Sequence, residues 1–424
     1  MRILRCLGHC KAFGHATLLS ITLLAGVLPV AARADVVTDW SAIAAKSIVT
    51  KGAPAGFIEW AIVHAAMYDA VNSIDRRHRP YKIEPTGPTE GASQEAAAAA
   101  AAHDALVGLF PAQSVTLDAS YATSLASVPD GWAKDRGIEI GKEVATAILK
   151  QRANDGRGTV VPYIFGSGPG VYQQTPPPYP PTGPVNTFLP QVTPMTLLSG
   201  SQFRAYGPPG LTSARYTRDL EEVRTFGSIN SSARSEEQSE IARFHTENPS
   251  QFWGRNISNY VASRQLGTAR SARLMTLLAF ATADASLACF DSKYTYNFWR
   301  PVTAIRQADT DGNSATAGDP TWTAFLATPP HPEYPAAHGC VSGAVSQILR
   351  EYFRTPHLQF AFDSTVTGMT HYYDKTDDLV REVVNARVYG GMHFRNSSVH
   401  GVVLGKTIAK WVMSNTLQPV HGQR

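Results

Sequence analysis

The sequence predicts an all-α fold in which helices are joined by long irregular connections. Three observations carry this prediction. Apolar residues recur with helical spacing along most of the chain, and the alternating patterns typical of half-buried strands are scarce. Residues 162–210 hold 12 of the 28 prolines, which excludes a helix or a central strand there. Hydrophobic residues make up 43% and charged residues 17% of the chain, so wholesale disorder is excluded.

Residues 1–34 have the features of a secretory signal. Arg2, Arg5 and Lys11 form a positive start, residues 16–32 are apolar, and residues 32–34 read Ala-Arg-Ala, a cleavage pattern. A membrane anchor is the alternative, but the apolar run is at the lower limit for spanning. We therefore expect a periplasmic or secreted protein that begins at residue 35. No later segment is expected to be long and apolar enough to cross a membrane.

Without residues 1–34 the chain has no net charge and keeps two cysteines. The signal holds four of the 38 basic residues and no acid, so 34 basic residues remain against 34 acidic ones. Such a neutral chain gives no electrostatic reason to expect nucleic acid as a partner. Only Cys289 and Cys340 remain, and the sequence leaves open whether they pair or stay as two buried thiols.

Residues 35–160 are predicted to form an N-terminal helical region. Its helices are expected at 40–82, 93–109, 114–126 and 131–153. His64 lies on the first of these, and a helical His of this kind is more often structural than a ligand. The second contains seven consecutive alanines, which favour a helix and permit another helix to approach closely.

Residues 161–215 form the proline-rich region, which the sequence allows to be either a disordered linker or an ordered loop. Interspersed aromatic residues favour a long ordered loop on the surface. Residues 216–424 are predicted to form a C-terminal helical region. Its helices are expected at 216–227, 235–246, 250–265, 268–293, 338–354, 376–389 and 393–414.

The first cluster of chemically interesting residues contains Lys293 and Arg300. They are seven positions apart, which is two helical turns, so both are expected to project from nearly one face. Pro301 limits continuation of the helix beyond them. Two cations on one face could hold an oxyanion, although this cluster taken alone favours a solvated basic face.

The second cluster surrounds His338. This residue follows the proline-bounded segment Pro332-Glu-Tyr-Pro335 and precedes a helical pattern, so we expect it near a helix N-terminus. Free backbone N–H groups at such a position attract anions, and a His there can transfer a proton. A helix-capping His without chemistry is the alternative.

The third cluster runs from Arg387 to His393. Gly390 and Gly391 lie between them and predict a bend that brings the guanidinium and the imidazole together. Arg can bind an oxyanion with two hydrogen bonds, and a neutral His can attack phosphorus or ligate a metal oxyanion. The three clusters together supply three cations and two histidines, which is suited to a tetrahedral oxyanion such as phosphate or vanadate.

The order and spacing of these residues resemble the superfamily of vanadium-dependent haloperoxidases, type 2 phosphatidic acid phosphatases and bacterial acid phosphatases. The superfamily pattern is K-x6-R-P, then P-S-G-H, then S-R-x5-H-x3-D. The positions that match are Lys293, Arg300, Pro301, Pro335, His338, Arg387 and His393. The local sequences NFWRPVTAI, HPEYP and HFR are similar to those of the haloperoxidase-like branch of secreted bacterial proteins. The resemblance extends over roughly residues 37–414 and implies the helical bundle of this superfamily.

The resemblance also implies roles. Lys293, Arg300 and Arg387 would hold the oxygens of the anion, and residues 336 and 337 occupy two further cofactor-binding positions. His393 would ligate vanadium in a haloperoxidase or attack phosphorus in a phosphatase. His338 would be the general acid–base. A haloperoxidase would bind vanadate and use hydrogen peroxide to oxidise a halide, whereas a phosphatase would bind phosphate esters in the same site.

Four positions depart from the superfamily pattern. Ala336 lacks the hydroxyl that bonds the anion, and Ala337 replaces a Gly that permits close approach of a backbone N–H. Ala386 replaces the Ser before the Arg. Ser397 replaces the Asp that orients the nucleophilic His in phosphatases, which weighs more against phosphatase chemistry than against vanadate ligation. Three functions stay open at this point: a haloperoxidase, an acid phosphatase, and a non-catalytic oxyanion-binding protein.

Overall fold

A computed structural model of the chain describes residues 35–52, 54–176 and 183–420. These residues belong to one compact unit, 34–424. The predicted secretory signal, with Cys6 and Cys10, lies outside the described residues, as do residues 177–182 of the proline-rich region.

Helices dominate the described residues, which confirms the predicted all-α class. Thirteen α-helices occur there: α1 Val36–Ser47, α2 Gly56–Asp75, α3 Gln94–Leu109, α4 Ser114–Ala126, α5 Trp132–Gln151, α6 Ala214–Phe226, α7 Glu236–Phe244, α8 Pro249–Ser263, α9 Thr268–Tyr296, α10 Pro301–Arg306, α11 Ala337–Phe353, α12 Thr376–Tyr389 and α13 Arg395–Asn415. Most begin and end within three residues of the sequence prediction.

The prediction of one helical segment over 40–82 is wrong. Helix α1 ends at Ser47 and a short 3-10 helix follows over Ile48–Lys51. Gly52 has a φ of 72°, in the left-handed region that favours glycine, so the chain turns there before α2 begins. His64 on α2 is fully buried and its Nε2 lies 3.0 Å from the hydroxyl of Ser41, as expected of a structural histidine.

A β-hairpin was missed by the sequence analysis. Strand β1, His357–Asp363, pairs in antiparallel fashion with β2, Thr370–Lys375. Leu358, Phe360 and Phe362 point inward while their neighbours are more exposed, so the alternation was present but extended over only one short run. The hairpin packs against α8 and α12, at the edge of the helical bundle.

Helix α9 lies at the centre of the core, where it packs against α2, α11 and α13. By length and composition it could cross a membrane, but 94% of its apolar window is buried inside the protein. The expectation that no segment after the signal reaches that length and apolarity is therefore corrected. Burial to this extent is typical of a helix in the core of a folded domain, which is the position of α9.

Helices α11 and α13 approach each other closely because small residues line both. A Cβ added to Gly343 would lie 2.4 Å from the carbonyl oxygen of Val402, and one added to Gly405 would lie 2.0 Å from that of Cys340. Only glycine fits at such contacts. This packing places the N-terminal ends of the two helices next to each other. His338 lies at the start of α11, and His393 lies just before the start of α13.

The alanine run of α3 has the packing role that the sequence predicted. All seven residues, 96–102, are buried. A Cβ added to Gly141 of α5 would lie 2.5 Å from the carbonyl oxygen of Ala97, so the two backbones are in direct contact.

The described parts of the proline-rich region are ordered and are attached to α9. Within them the structure has one short 3-10 helix, Leu189–Gln191. The carboxylate of Asp284 on α9 accepts hydrogen bonds from the backbone N–H groups of Met195, Thr196 and Leu197, at 2.7–3.2 Å. The N–H of Trp299 donates to the carbonyl of Gly170 at 3.0 Å, so this loop also supports the turn that carries Arg300.

Cys289 and Cys340 are free, buried thiols in the structure. The reduced alternative that the sequence left open is the one observed. Cys289 lies on α9 and its Sγ is 3.6 Å from the carbonyl oxygen of Pro335.

Candidate active site

The three predicted clusters meet at one place in the fold. Lys293 lies in the last turn of α9, and Arg300 immediately precedes α10. His338 is in the first turn of α11, as predicted, and Arg387 is in the last turn of α12. His393 lies in the short connection between α12 and α13.

Lys293 and Arg300 do not share a helical face, so that part of the prediction is wrong. Helix α9 ends at Tyr296, and Asn297 adopts a left-handed conformation with a φ of 47°. The two cations still converge, because both bind the segment before α11. Lys293 Nζ donates to the carbonyls of Pro332 and Glu333, each at 2.9 Å. Arg300 Nε donates to the carbonyl of His331 at 2.8 Å.

The guanidinium of Arg300 connects this segment to His393. Its Nη1 donates to the carbonyl of Met392 at 2.8 Å and lies 3.0 Å from Nε2 of His393. Its Nη2 lies 3.0 Å from Nδ1 of His331. Because a guanidinium has no acceptor, Nε2 of His393 must accept from Arg300. His331 can accept through Nδ1 or through Nε2, which is 3.3 Å away, and its Nδ1 also lies 3.1 Å from the carbonyl of Pro332.

Arg387 approaches the site from the opposite side. Its Nη1 lies 3.2 Å from ring nitrogens of His338, and its Nη2 donates to the carbonyl of His245 at 3.3 Å. Its Nε is buried and has no hydrogen-bond partner among the residues that the structure describes. A buried donor without a partner is costly, so Arg387 has capacity for an acceptor that the protein does not supply.

The predicted bend between Arg387 and His393 is present. Gly391 has a φ of 75°, and a Cβ there would lie 2.4 Å from the carbonyl oxygen of Gly227. Only glycine satisfies both conditions. The N–H of His393 donates back to the carbonyl of Arg387 at 3.3 Å, which closes the turn and brings the two side chains to one site.

Two site residues, His331 and Glu333, were missed by the sequence analysis. One carboxylate oxygen of Glu333 lies 2.9 Å from Nδ1 of His393 and accepts from the N–H of Phe394 at 3.0 Å. Glu333 is completely buried. The signal was the segment HPEYP, which carries two ionisable residues in an otherwise apolar context just before His338.

Ala336 and Ala337 have different positions. Ala337 lines the cavity described below. Ala336 is fully buried, and its own N–H donates to the carbonyl of Ser397 at 3.1 Å. Ala336 is also the N-cap residue of α11 and gives that helix no side-chain cap.

We expect Ala336→Ser to stabilise the protein by about 1 kcal/mol, because a serine N-cap accepts from an N–H of the first helical turn. The same hydroxyl adds a donor at the position where the superfamily pattern has one, so oxyanion affinity should rise as well. Chemical denaturation and a vanadate titration measure the two effects. A destabilised variant would show that the close packing of α11 on α13 has no room for the hydroxyl.

The site has an excess of buried positive charge. Lys293, Arg300 and Arg387 are each no more than 2% exposed. Against these three cations, the Glu333 carboxylate contacts His393, and Glu382 contacts the imidazole of His245, whose carbonyl binds Arg387. Burial lowers the pKa of Lys293 to about 8 and that of Arg387 to about 9. Buried cations without enough counter-charge favour binding of an anion, because an anion restores the balance.

The histidines of the site are neutral. Burial, followed by the charge of Arg300, holds the pKa values of His331 and His393 well below 6.5. Burial and Arg387 do the same for the pKa of His338. Burial raises the pKa of Glu333 to about 7, although Lys293 and Arg300 oppose this shift. Neutral imidazoles have a free nitrogen lone pair, which ligation, nucleophilic attack and general base catalysis all require.

The lowered pKa of Lys293 predicts a pH dependence. The unfolded chain keeps this proton up to about pH 10.5, whereas the folded, ligand-free protein releases it near pH 8. Stability attributable to Lys293 therefore rises between pH 8 and 10.5, and anion affinity falls. Denaturation and phosphate binding at pH 7.5 and 9.5 measure both trends. Lys293→Met should reduce both trends and leave the part that belongs to Arg387, whose pKa is about 9. Unchanged pH dependence in this variant would assign the proton to another group.

A cavity of about 410 Å³ opens onto this cluster. Arg387, His331, His338 and His393 contribute to its polar end. Apolar side chains and prolines form most of the remaining wall: Pro54, Phe57, Pro249, Trp253, Leu326, Pro329, Val341 and Met392. Lys293 and Arg300 lie behind this surface, where they hold the segment that precedes α11. The cavity is large enough for a small oxyanion and a second small reactant.

Comparison with known proteins identifies the family of this site. The family described as the VCPO second helical-bundle domain matches residues 273–422, a segment that contains the whole constellation from Lys293 to His393. This segment of the chain is similar to the vanadium haloperoxidases. A segment of 103 residues is 32% identical to vanadium chloroperoxidase from Curvularia inaequalis, covering 22% of this chain and 16% of that protein.

Solved structures extend the haloperoxidase likeness over most of the chain. A bacterial vanadium-dependent iodoperoxidase has a TM-score of 0.77 and 25% identity, covering 91% of this chain and 97% of the iodoperoxidase. The holo form of a bacterial vanadium-dependent chloroperoxidase has a TM-score of 0.70 and 19% identity, over 88% of this chain and 92% of that one. The second comparison supports the helical fold alone.

Proposed function

We propose that this protein is a vanadium-dependent haloperoxidase that binds vanadate and oxidises a halide with hydrogen peroxide. The observation that carries the proposal is the buried cation cluster of Lys293, Arg300 and Arg387 beside two neutral histidines. The donor set fits a tetrahedral oxyanion. Arg387 Nε has no hydrogen-bond partner within the described part of the chain, and the cluster has more positive than negative charge.

Each residue would contribute a distinct function. Lys293, Arg300 and Arg387 would neutralise the anion, and His393 would hold it through Nε2, the nitrogen that now faces Arg300. His338 lies at the cavity surface with a depressed pKa, so its neutral imidazole would accept a proton from hydrogen peroxide or water in the cavity. Vanadate, when bound, supplies a Lewis acid that makes peroxide reactive toward a halide.

The alternative, an acid phosphatase with His393 as nucleophile, is favoured by one observation. A carboxylate contacts Nδ1 of His393 at 2.9 Å, as nucleophilic activation of a histidine requires. The departure at Ser397 therefore weighs less against this chemistry than the sequence alone suggested.

Halide oxidation assays separate the candidate functions. Purified protein is incubated with iodide, bromide or chloride, with and without vanadate and peroxide, and in parallel with a phosphate ester. Iodide is the first halide to test, since the similar iodoperoxidase covers nearly the whole chain. We expect halide oxidation that depends on both vanadate and peroxide. Phosphate release that vanadate inhibits, without halide oxidation, would identify a phosphatase, and neither activity would leave an oxyanion-binding protein.

We further propose that the protein is exported and that residues 1–34 are removed. The support is the positive start, the apolar run and the Ala-Arg-Ala site. N-terminal mass spectrometry of periplasmic or secreted material should find Asp35 as the first residue. Exported protein that retains Met1 would contradict cleavage.

A further inference from the structure

We propose that Glu333 is the residue that positions His393, in place of the Asp that the superfamily pattern has four residues after this His and that is Ser397 here. The proposal deepens the vanadate site and rests on the function proposed above. Glu333 is a positioning residue, because it acts through His393.

The hydrogen bonds on the two sides of the imidazole define its tautomer. Arg300 Nη1 lies 3.0 Å from Nε2 and can only donate, so Nε2 is the acceptor. A neutral imidazole then has its proton on Nδ1, which donates to the Glu333 carboxylate at 2.9 Å. The lone pair that a metal oxyanion needs is therefore on the nitrogen nearest the cations.

Two hydrogen bonds hold the backbone of Glu333 and a further one holds its carboxylate, so the carboxylate is restrained on the side that faces His393. Its N–H donates to the carbonyl of Phe298 at 2.9 Å, and its carbonyl accepts from Lys293 Nζ at 2.9 Å. The same carboxylate oxygen that faces His393 also accepts from the N–H of Phe394 at 3.0 Å. Outer partners of this kind orient metal-binding histidines and raise their basicity.

Ser397 is in contact with Glu333, and its hydroxyl lowers the pKa of the Glu333 carboxyl. Its hydroxyl donates weakly to the Glu333 carbonyl, at 3.4 Å. Both residues are almost completely buried. An Asp at position 397 would bring a second buried carboxylate beside Glu333, and two like charges there would destabilise each other. Residues 333 and 397 are therefore alternative positions for one carboxylate. Carboxylates at both positions are expected to destabilise the folded protein.

The proposal is tested with Glu333→Ala, Glu333→Gln, Ser397→Asp and the double variant Glu333→Ala/Ser397→Asp. Ser397→Ala is the matched control, since it changes the neighbouring side chain and leaves the carboxylate in place. The first measurement is nitrogen-15 NMR of the His393 imidazole in protein without vanadate, which reports the tautomer. The second is vanadate affinity, and circular dichroism checks folding.

We expect wild type and Ser397→Ala to have the proton on Nδ1, and Glu333→Ala to show mixed tautomers with vanadate affinity at least tenfold lower. Glu333→Gln keeps an acceptor but no charge, so it should keep the tautomer, shift the Nδ1 proton upfield and bind vanadate more weakly. Ser397→Asp alone should bind no better than wild type, whereas the double variant should recover the Nδ1 tautomer and part of the affinity.

The assignment is overturned if His393 keeps the wild-type tautomer in Glu333→Ala. If that variant does not fold, an unshifted Nδ1 proton in Glu333→Gln overturns it instead. Failure of the proposed function gives a different result. If wild type binds no vanadate but the tautomer still depends on residue 333, Glu333 positions His393 and the haloperoxidase proposal is wrong.

Discussion

His393→Ala is expected to abolish vanadate binding, whereas His338→Ala is expected to bind vanadate and to lose at least a hundredfold in halide oxidation. The difference follows from their positions. His393 is buried between Arg300 and Glu333 and would be the direct ligand. His338 lies at the cavity surface, where it can transfer protons; general acid–base groups typically contribute about 10²–10⁴ in rate.

The two histidine variants need to be compared in both binding and turnover. Equilibrium binding of vanadate is measured first, and halide oxidation is then measured at saturating vanadate. His64→Ala is not a suitable control, since His64 is fully buried in the core and its loss would leave a void. His357→Ala, on the hairpin and away from the cavity, is the matched control. Equal loss of vanadate binding in His338→Ala and His393→Ala would show that the two roles are wrongly assigned.

Arg387→Met is expected to weaken vanadate binding by roughly tenfold to a hundredfold, because a charge-assisted hydrogen bond is worth about 1.5–3 kcal/mol. The ligand-free protein should not lose comparable stability. Burial lowers the pKa of Arg387 to about 9, so its charge at neutral pH is unfavourable in the folded state, and the neutral variant is relieved of that cost.

This combination, weaker anion binding without a matching loss of stability, separates a binding cation from a structural one. Arg381→Met is the control: Arg381 is on the same helix but exposed, and pairs with Asp378. Thermal unfolding and vanadate titration are measured for both variants. A strongly destabilised Arg387→Met that binds vanadate with wild-type affinity would show that Arg387 holds the fold rather than the anion.

Sequence patterns were sufficient to predict the helices but not every connection. Periodicity predicted most helical bounds, since this signal is local. In the structure Ser93 and Ser235 cap α3 and α7 at those bounds. The break at Gly52 within 40–82 and the hairpin from His357 to Lys375 were missed. Both depend on tertiary packing: α2 and β1 carry apolar residues that only their neighbours in the fold distinguish from a continued helix.

The sequence predicted the cations and two of the histidines of the candidate site. It did not predict the residues that hold them in position. Lys293 and Arg300 meet, but through a left-handed turn at Asn297 rather than along one helical face. The role of Glu333 could not be predicted, because its partner His393 is 60 residues away and the contact exists only after α11 packs on α13. Motif spacing identifies residues that bind a ligand more readily than residues that position them.

A calorimetric titration of the purified protein with vanadate, repeated in the presence of phosphate, tests the central claim most directly. The claim is that the buried cations form one oxyanion site. We expect one vanadate per chain, competition by phosphate, and much weaker binding in Arg387→Met and His393→Ala. No measurable binding by wild type, or binding that neither substitution weakens, would contradict the account.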